Sequence, residues 1–367
     1  MLKVNTTTYG ELLKRGYEKK SPFMVYGGPG VGKSDIPLQV FKKVAKDMKL
    51  EFYKWSYMSK QEKTNAINNP EKYFIFCDQR ISQMDSTDLR GIPKMDGEFL
   101  ETCPLSWIIY FTQPKAHGII FFDEINLAAP VVASQAYQII NDREISDRKL
   151  GDGVYVIGAG NRAEDKAFTF EMPVPLRDRF NEIELYPDVK SWSKWAASSN
   201  VNCHLVTFVN WKEMYLYTVD KCKDTADKPT TPRGIKRASD LVGADDIMTN
   251  ESHMHISCAC GEAFATEFQA YIKHYKELDW GNIYKNPKSV SDMTVDVLWA
   301  VAGGLVEQFN KSAVKLDTVF NVIMNMKPDF SVVTFRLIRD SGDKFKSELP
   351  NSKEFTKFID KYEKYIL

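Results

Sequence analysis

Residues 27–34 read GGPGVGKS, directly after the apolar run FMVY at 23–26 and directly before a helical pattern at 35–48. The spacing G-x-x-x-x-G-K-[ST] between a strand and a helix predicts a phosphate cradle. The chemistry explains the residue types. Glycines at 27, 30 and 32 let the backbone curl so that its N–H groups converge on phosphate oxygens. Gly28, Pro29, Gly30, Val31 and Gly32 form that cradle, and the following helix turns its positive N-terminal end to the same anion. Lys33 reaches the β- and γ-phosphates of a nucleotide, and the Ser34 hydroxyl ligates Mg²⁺. The plain alternative is a glycine-rich turn that happens to contain Lys-Ser. Pro37 falls early in the helix, where a missing N–H costs least.

A second group of polar residues ends another apolar run, IIFFDE at 119–124. Asp123 is placed to hold the metal, and Glu124 to polarise an attacking water as general base. Neighbouring residues of a strand point opposite ways, so the two acids serve different atoms only if the strand ends there. The run VYVIGA at 154–159 is followed by Gly160-Asn161-Arg162, where Asn161 could bond the γ-phosphate and the water; a tight-turn Asn is the alternative. In MPVPLRDRF at 172–180, Arg177 and Arg179 precede the last strand, and either could act as an arginine finger on a neighbouring subunit's nucleotide or sit in a surface salt bridge. A guanine-reading N-K-x-D element is absent from the sequence.

These residues need a scaffold that brings strand ends together. The runs at 23–26, 73–76, 119–122, 154–159 and 182–185 alternate with helical patterns, which predicts a parallel α/β sheet covered on both faces, with function at the carboxyl ends of its strands. Residues 50–72, rich in Lys, Glu and Asn, read as a helical excursion between two strands. After Pro187 the strand pattern stops. Helices are predicted over 188–198, 204–218, from Pro232, and over 259–276, followed by a helical tail broken at Pro328 and Pro350. KCKDTADKPTT reads as an exposed loop. The chain has 367 residues, with 49 Lys+Arg against 49 Asp+Glu. That length suits two domains or more, and the balanced charge argues against a surface uniformly built for nucleic acid. No apolar run is long enough to span a membrane, and the first residues lack the apolar core of a secretory signal, which points to the cytoplasm. Six cysteines, of which Cys77, Cys103, Cys203 and Cys222 are scattered and only Cys258 and Cys260 are close together, do not make a disulfide framework.

The motifs GGPGVGKS, FFDEINLAAP at 121–130, GAGNRAED at 158–165, LRDRF at 176–180 and TPR at 231–233 together resemble the MoxR-like AAA+ ATPases of the dynein-related branch, in their bacterial or phage type. In a phage the site of action would be the host cytoplasm. The resemblance covers residues 21–245. It implies a five-stranded parallel ATP-binding domain (1–187), a helical lid (188–277) and a helical C-terminal extension (278–367). It implies ATP and Mg²⁺ as ligands, hydrolysis to ADP and phosphate, and a ring of subunits, six in the common case. On that pattern Asn161 is sensor 1, Arg179 the arginine finger and Arg233 sensor 2. SQMDSTDLRGIP at 82–93, followed by DGEF, resembles the insert that faces the ring's pore. Family members often remodel a protein client, commonly one with a von Willebrand factor A domain. The family's frequent Asn-Arg after the acids is Asn126-Leu127 here.

The alternative function is a nucleic-acid motor or loader built on the same ATP chemistry. The insert holds Arg80, Arg90 and Lys94 against Asp85, Asp88, Asp96, Glu98 and Glu101, so it lacks the basic surface such a motor needs. A third class, a nucleotide-binding module that does not hydrolyse, sits poorly with a full catalytic set. HMHISCAC at 253–260 offers His253, His255, Cys258 and Cys260, but C-x-C with H-x-H is not the usual zinc spacing. Trp192, Trp195, Phe208 and Trp211 read as lid core rather than base-stacking platforms. The tail at 344–364 reads as a solvated helix with i,i+4 ion pairs.

Overall fold

Short runs of aromatic and β-branched residues that are buried on both faces favour interior parallel strands. The computed structural model describes residues 1–162, 164, 170, 172, 174–222, 228–243, 249–340 and 343–366. These divide into two units, Met1–Tyr186 and Pro187–Leu367. In the first unit the strands are β1 (Leu2–Val4), β2 (Phe23–Tyr26), β3 (Glu51–Lys54), β4 (Tyr73–Arg80), β5 (Ile92–Asp96), β6 (Phe99–Cys103), β7 (His117–Asp123), β8 (Glu144–Ile145), β9 (Arg148–Lys149), β10 (Gly153–Gly160) and β11 (Asn181–Leu185). Seven form one sheet in the order β1-β11-β2-β10-β7-β4-β3, and every neighbouring pair is parallel. The other four make two antiparallel hairpins, β5–β6 and β8–β9.

The predicted α/β class holds, with seven strands instead of five. The additions are the two edges. β1 is only three residues long. β3 opens the segment read as a purely helical excursion; the helix, Lys60–Asn68 with a Ser59/Glu62 capping box, comes after it. An edge strand is half solvated, so Glu51 and Lys54 are tolerated and the apolar pattern is lost.

Alternation along the strands gives the sheet two apolar faces. Ile75, Cys77, Ile120, Phe122, Val154 and Val156 share one core with the helices Ser106–Phe111 and Pro130–Asp142. Phe74, Phe76, Phe121 and Tyr155 point the other way. There Phe41, on the helix Asp35–Asp47, packs against Phe74 and Tyr155, and so does Tyr17 on the helix Thr6–Lys19.

The second unit is helical. Phe208, Phe264, Phe268 and Tyr271 share a continuous core with Leu298, Val301, Leu305, Phe320, Phe335 and Phe358. Trp192 is buried in it, while Trp195 and Trp211 pack on its margin. The helix predicted over 204–218 ends at Trp211, with a 3-10 turn at Glu213–Tyr215. The pattern at 259–276 belongs to two helices, Asn250–Cys260 and Glu262–Lys276. Gly261 parts them with φ +92°, where a Cβ would lie 2.5 Å from the Lys228 carbonyl oxygen. The tail is less solvated than its charges suggest: Phe358 and Tyr362 are buried, although Lys344–Glu348 and Lys357–Glu354 do pair on its surface. Of the loop at 221–231, residues 223–227 lie outside the described residues. No helix among the described residues is long and apolar enough to cross a membrane.

One contact fixes the strand that carries the acids. Gly118 of β7 has φ +153°, and a Cβ there would lie 2.1 Å from the Ile75 carbonyl oxygen of β4. Gly118→Ala is therefore expected to destabilise the chain by about 3 kcal/mol through backbone strain and overpacking. Urea denaturation measures this, and an unchanged midpoint would contradict the close β4–β7 approach.

Candidate active site

The loop at 27–34 leaves β2 and enters the helix Asp35–Asp47. Gly30 and Gly32 have φ of +75° and +100°, the left-handed region that glycine enters without cost. Val31 is buried and anchors the loop. Lys33 Nζ donates to the carbonyl oxygens of Gly27 (2.5 Å) and Gly28 (3.1 Å) and to Asn161 Oδ1 (3.0 Å). The ammonium thus lies across the mouth of the loop, between the ends of β2 and β10. Ser34 makes no side-chain capping bond, although it sits at the N-cap. Tyr9, fully buried, donates its hydroxyl to the Lys33 carbonyl oxygen at 3.4 Å and supports the loop from behind. Burial, with the charges of Tyr155 and Asp123, pushes the Tyr9 phenol well above its usual range, so it stays a donor.

β7 ends at Asp123, and Glu124 adopts a left-handed conformation with φ +55° that starts the turn Ile125–Leu127. This break separates the two acids. The Glu124 N–H donates to Asp123 Oδ1 at 2.9 Å. Burial raises the Asp123 carboxyl above its ordinary range, the Lys33 charge opposes that rise, and Asp78 and Glu124 add to it. Glu124 is held: the Ser82 hydroxyl donates to its Oε2 at 2.5 Å, and Arg80 Nε lies 3.8 Å from its Oε1. Arg80 is the register partner of Asp123 on the neighbouring strand.

Asn161 follows β10 directly and meets Lys33. Its backbone is gripped by Asn126: Asn126 Nδ2 donates to the Asn161 carbonyl oxygen at 2.7 Å, and the Asn161 N–H donates to Asn126 Oδ1 at 3.0 Å. Arg162 lies 3.5 Å from Glu184 of β11. Arg177 forks onto Glu182, with bonds of 2.8–3.2 Å, so it takes the salt-bridge alternative. Arg179 is exposed and makes no hydrogen bond or ion pair among the described residues. Arg233 is exposed in the first turn of the helix Pro232–Val242, in the second unit, behind the Thr231 cap. Ala163 and Asp165 of GAGNRAED and Pro173 of MPVPLRDRF lie outside the described residues.

The structure thus brings Lys33 and Asn161 together and sets Asp123 within electrostatic reach of Lys33. A desolvated carboxylate and a hydroxyl that makes no hydrogen bond among the described residues, beside a glycine-lined loop, fit Mg²⁺ with phosphate oxygens. Tyr9, Ser82 and Asn126 are the participants that sequence reading misses. Only Ser82 and Asn126 fall within quoted motifs, and nothing local marks their contacts. The cluster at 253–260 does not assemble: Cys258 is exposed, Cys260 is buried with its thiol pushed up to about 12, and His253 Nε2 lies 3.7 Å from Glu262. No group of three or more metal-ligating side chains occurs among the described residues.

No protein-family model matches the chain, and no curated protein matches it in sequence. Several solved structures resemble it at low identity. The Thermotoga maritima RuvB Holliday junction branch migration motor is 12% identical, with 86% of this chain and 79% of that one covered and a TM-score of 0.26. Brucella abortus NtrX in complex with ADP is 13% identical over 90% of this chain and 68% of its own, with a TM-score of 0.33. The Aeropyrum pernix ORC2 protein, in ADPNP–ADP complexes, is 14% identical over 82% and 74%, with a TM-score of 0.35. At these identities and scores the likenesses carry no functional argument; the chemistry rests on the site's own residues.

Proposed function

We propose that the chain is a Mg²⁺-dependent ATPase of MoxR-like AAA+ type that acts on a protein partner as a ring, six subunits in the family's common form. The observation that carries this reading is the meeting of Lys33, Asn161 and the glycine-lined loop beside the desolvated Asp123 and the tethered Glu124. The backbone N–H groups of Gly28, Gly30, Val31 and Gly32 and the Lys33 ammonium receive the β- and γ-phosphates. Ser34 and Asp123 would hold the metal, which when bound neutralises charge on the phosphate oxygens. Asn161 exchanges its bond to Lys33 for one to the γ-phosphate. Glu124 exchanges the Ser82 hydroxyl for a water and takes its proton. Arg179, exposed and unpaired among the described residues, completes a neighbour's site; for Arg233 the sensor 2 role rests on the resemblance of the TPR motif alone. A protein client, with a von Willebrand factor A domain as the family's usual case, suits the hairpin β5–β6 better than nucleic acid does. Ile92, Met95, Phe99 and Leu100 are all exposed there, among more acids than bases.

Lys33→Ala is expected to abolish nucleotide binding. Glu124→Gln is expected to bind ATP like wild type and to lose at least about 100-fold in kcat, the usual scale of a general base. Fluorescent-nucleotide titration and phosphate release measure both, and ordinary turnover by the Gln variant would sink the role of Glu124. Arg179→Ala is expected to lose about 1000-fold in kcat, with its activity restored by mixing with Glu124→Gln subunits, which still carry the arginine. Failure of the mixture to recover activity would contradict a finger acting between subunits. A last expectation concerns Asp123. Its carboxyl titrates higher in the folded chain than in the unfolded one, so its ionisation above the ordinary carboxylate range weakens the fold. Asp123→Asn should therefore raise the melting temperature of the nucleotide-free protein at neutral pH and remove the further rise given by Mg²⁺ with ATP. A preserved Mg²⁺-dependent rise would exclude Asp123 as a metal ligand.

A further inference from the structure

The motif roles leave Asn126 without a task, yet its side chain is buried and hydrogen-bonded at both polar atoms. It is 6% exposed and stands in the turn Ile125–Leu127, two residues after Glu124. Both polar atoms of its side chain are committed to one residue. Nδ2 donates to the Asn161 carbonyl oxygen at 2.7 Å, and Oδ1 accepts from the Asn161 N–H at 3.0 Å. A carboxamide carries the same donor and acceptor as a peptide, so this pair continues the sheet by one step.

That step is needed at this position. β10 pairs with β2 as far as Gly160 and with β7 only as far as Gly158. Asn161 lies past both ladders, and its side chain is the one that meets Lys33. The strand is shaped to admit the clasp. A Cβ on Gly160 would lie 2.7 Å from Asn126 Oδ1 and 3.0 Å from its Cγ. A Cβ on Gly158, on the same face, would lie 2.9 Å from Ile125 Cδ1. The two glycines of the GAG run thus clear room for that turn and for the Met24 side chain of β2, whose Sδ would lie 2.7 Å from a Cβ on Gly158.

We infer that Asn126 is a positioning residue: it fixes Asn161 toward Lys33 and ties that contact to the turn that carries Glu124. The inference rests on the ATPase reading above. A γ-phosphate that draws Asn161 would pull, through two hydrogen bonds, on the chain segment that sets the Glu124 backbone. The acid and the sensor then respond together.

The test uses the full chain with ATP, Mg²⁺ and a fluorescent ATP analogue. Asn126→Ala is expected to bind the analogue within about 3-fold of wild type, to melt as a cooperative fold, and to lose about 100-fold in kcat, the scale of an ångström-sized misplacement. Asn126→Asp keeps the acceptor for the Asn161 N–H but sets a carboxylate oxygen against the Asn161 carbonyl, and is expected to lose a similar factor. Gly160→Ala presses on an intact Asn126 and should fall in kcat by itself. Combined with Asn126→Ala it should cost nothing further, because the truncated side chain vacates the space. Undiminished kcat in the folded Asn126→Ala and Asn126→Asp variants overturns the inference, as does additive loss in the double variant. Loss of kcat in parallel with nucleotide affinity also overturns it, since that marks a general structural role. Absence of wild-type turnover overturns the ATPase reading itself, and the inference with it; wild-type turnover with active variants overturns the inference alone.

Discussion

One ammonium group organises the first unit. Lys33 Nζ lies where β2 and β10 end and donates to the carbonyls of Gly27 and Gly28 and to the side chain of Asn161. A hydrogen bond to a charged donor contributes about 1.5–3 kcal/mol, so the loop is held closed by the group that a phosphate would recruit. The parallel sheet makes this possible. Strands running the same way place their carboxyl ends in one row, and the loops that leave them converge without long excursions.

The register of β4, β7 and β10 then determines what faces that ammonium. Asp123 ends β7 where burial disfavours its charge, and Lys33 offsets part of the cost. Glu124 leaves the strand in the left-handed conformation, which costs a non-glycine residue about 1–2 kcal/mol, and its carboxylate turns to Arg80 at the end of β4 and to Ser82 just past it. The Glu124 carboxylate is thus engaged by protein groups on both oxygens. The Ser82 hydroxyl engages only Oε2 of that carboxylate, which ties Glu124 to the segment that follows β4. Asn126 extends the same turn to β10, so the strand ends form one hydrogen-bonded arc.

Legibility in the sequence follows contiguity. The loop at 27–34 and the acids at 123–124 are local patterns in which spacing alone states the chemistry; four of the five interior strands show as continuous apolar runs because both faces are buried, and β11 shows by the alternation of Glu182 and Glu184 with buried Ile183 and Leu185. β1 and β3 escape because edge strands are short and half solvated, and the Lys and Glu around β3 resemble a helix. Gly261 hides inside a helical period because periodicity ignores a residue that turns the chain. Tyr9, Ser82 and Asn126 escape for another reason. Their partners lie 24 to 42 residues away, and only the folded register brings them together. Arg177 and Arg179 are equivalent in sequence; they differ once Glu182, on the next strand, captures Arg177.

The central claim is that ATP is cleaved at a site each subunit shares with its neighbour. Phosphate release per subunit, measured with Mg²⁺ and ATP across a wide range of protein concentration, with and without single- or double-stranded DNA, tests it directly. The account predicts a rate per subunit that climbs with concentration to a plateau and ignores DNA. A rate independent of concentration would contradict the shared site. No turnover at any concentration would contradict the ATPase assignment, and strong DNA stimulation that fades with salt would replace the protein client with nucleic acid.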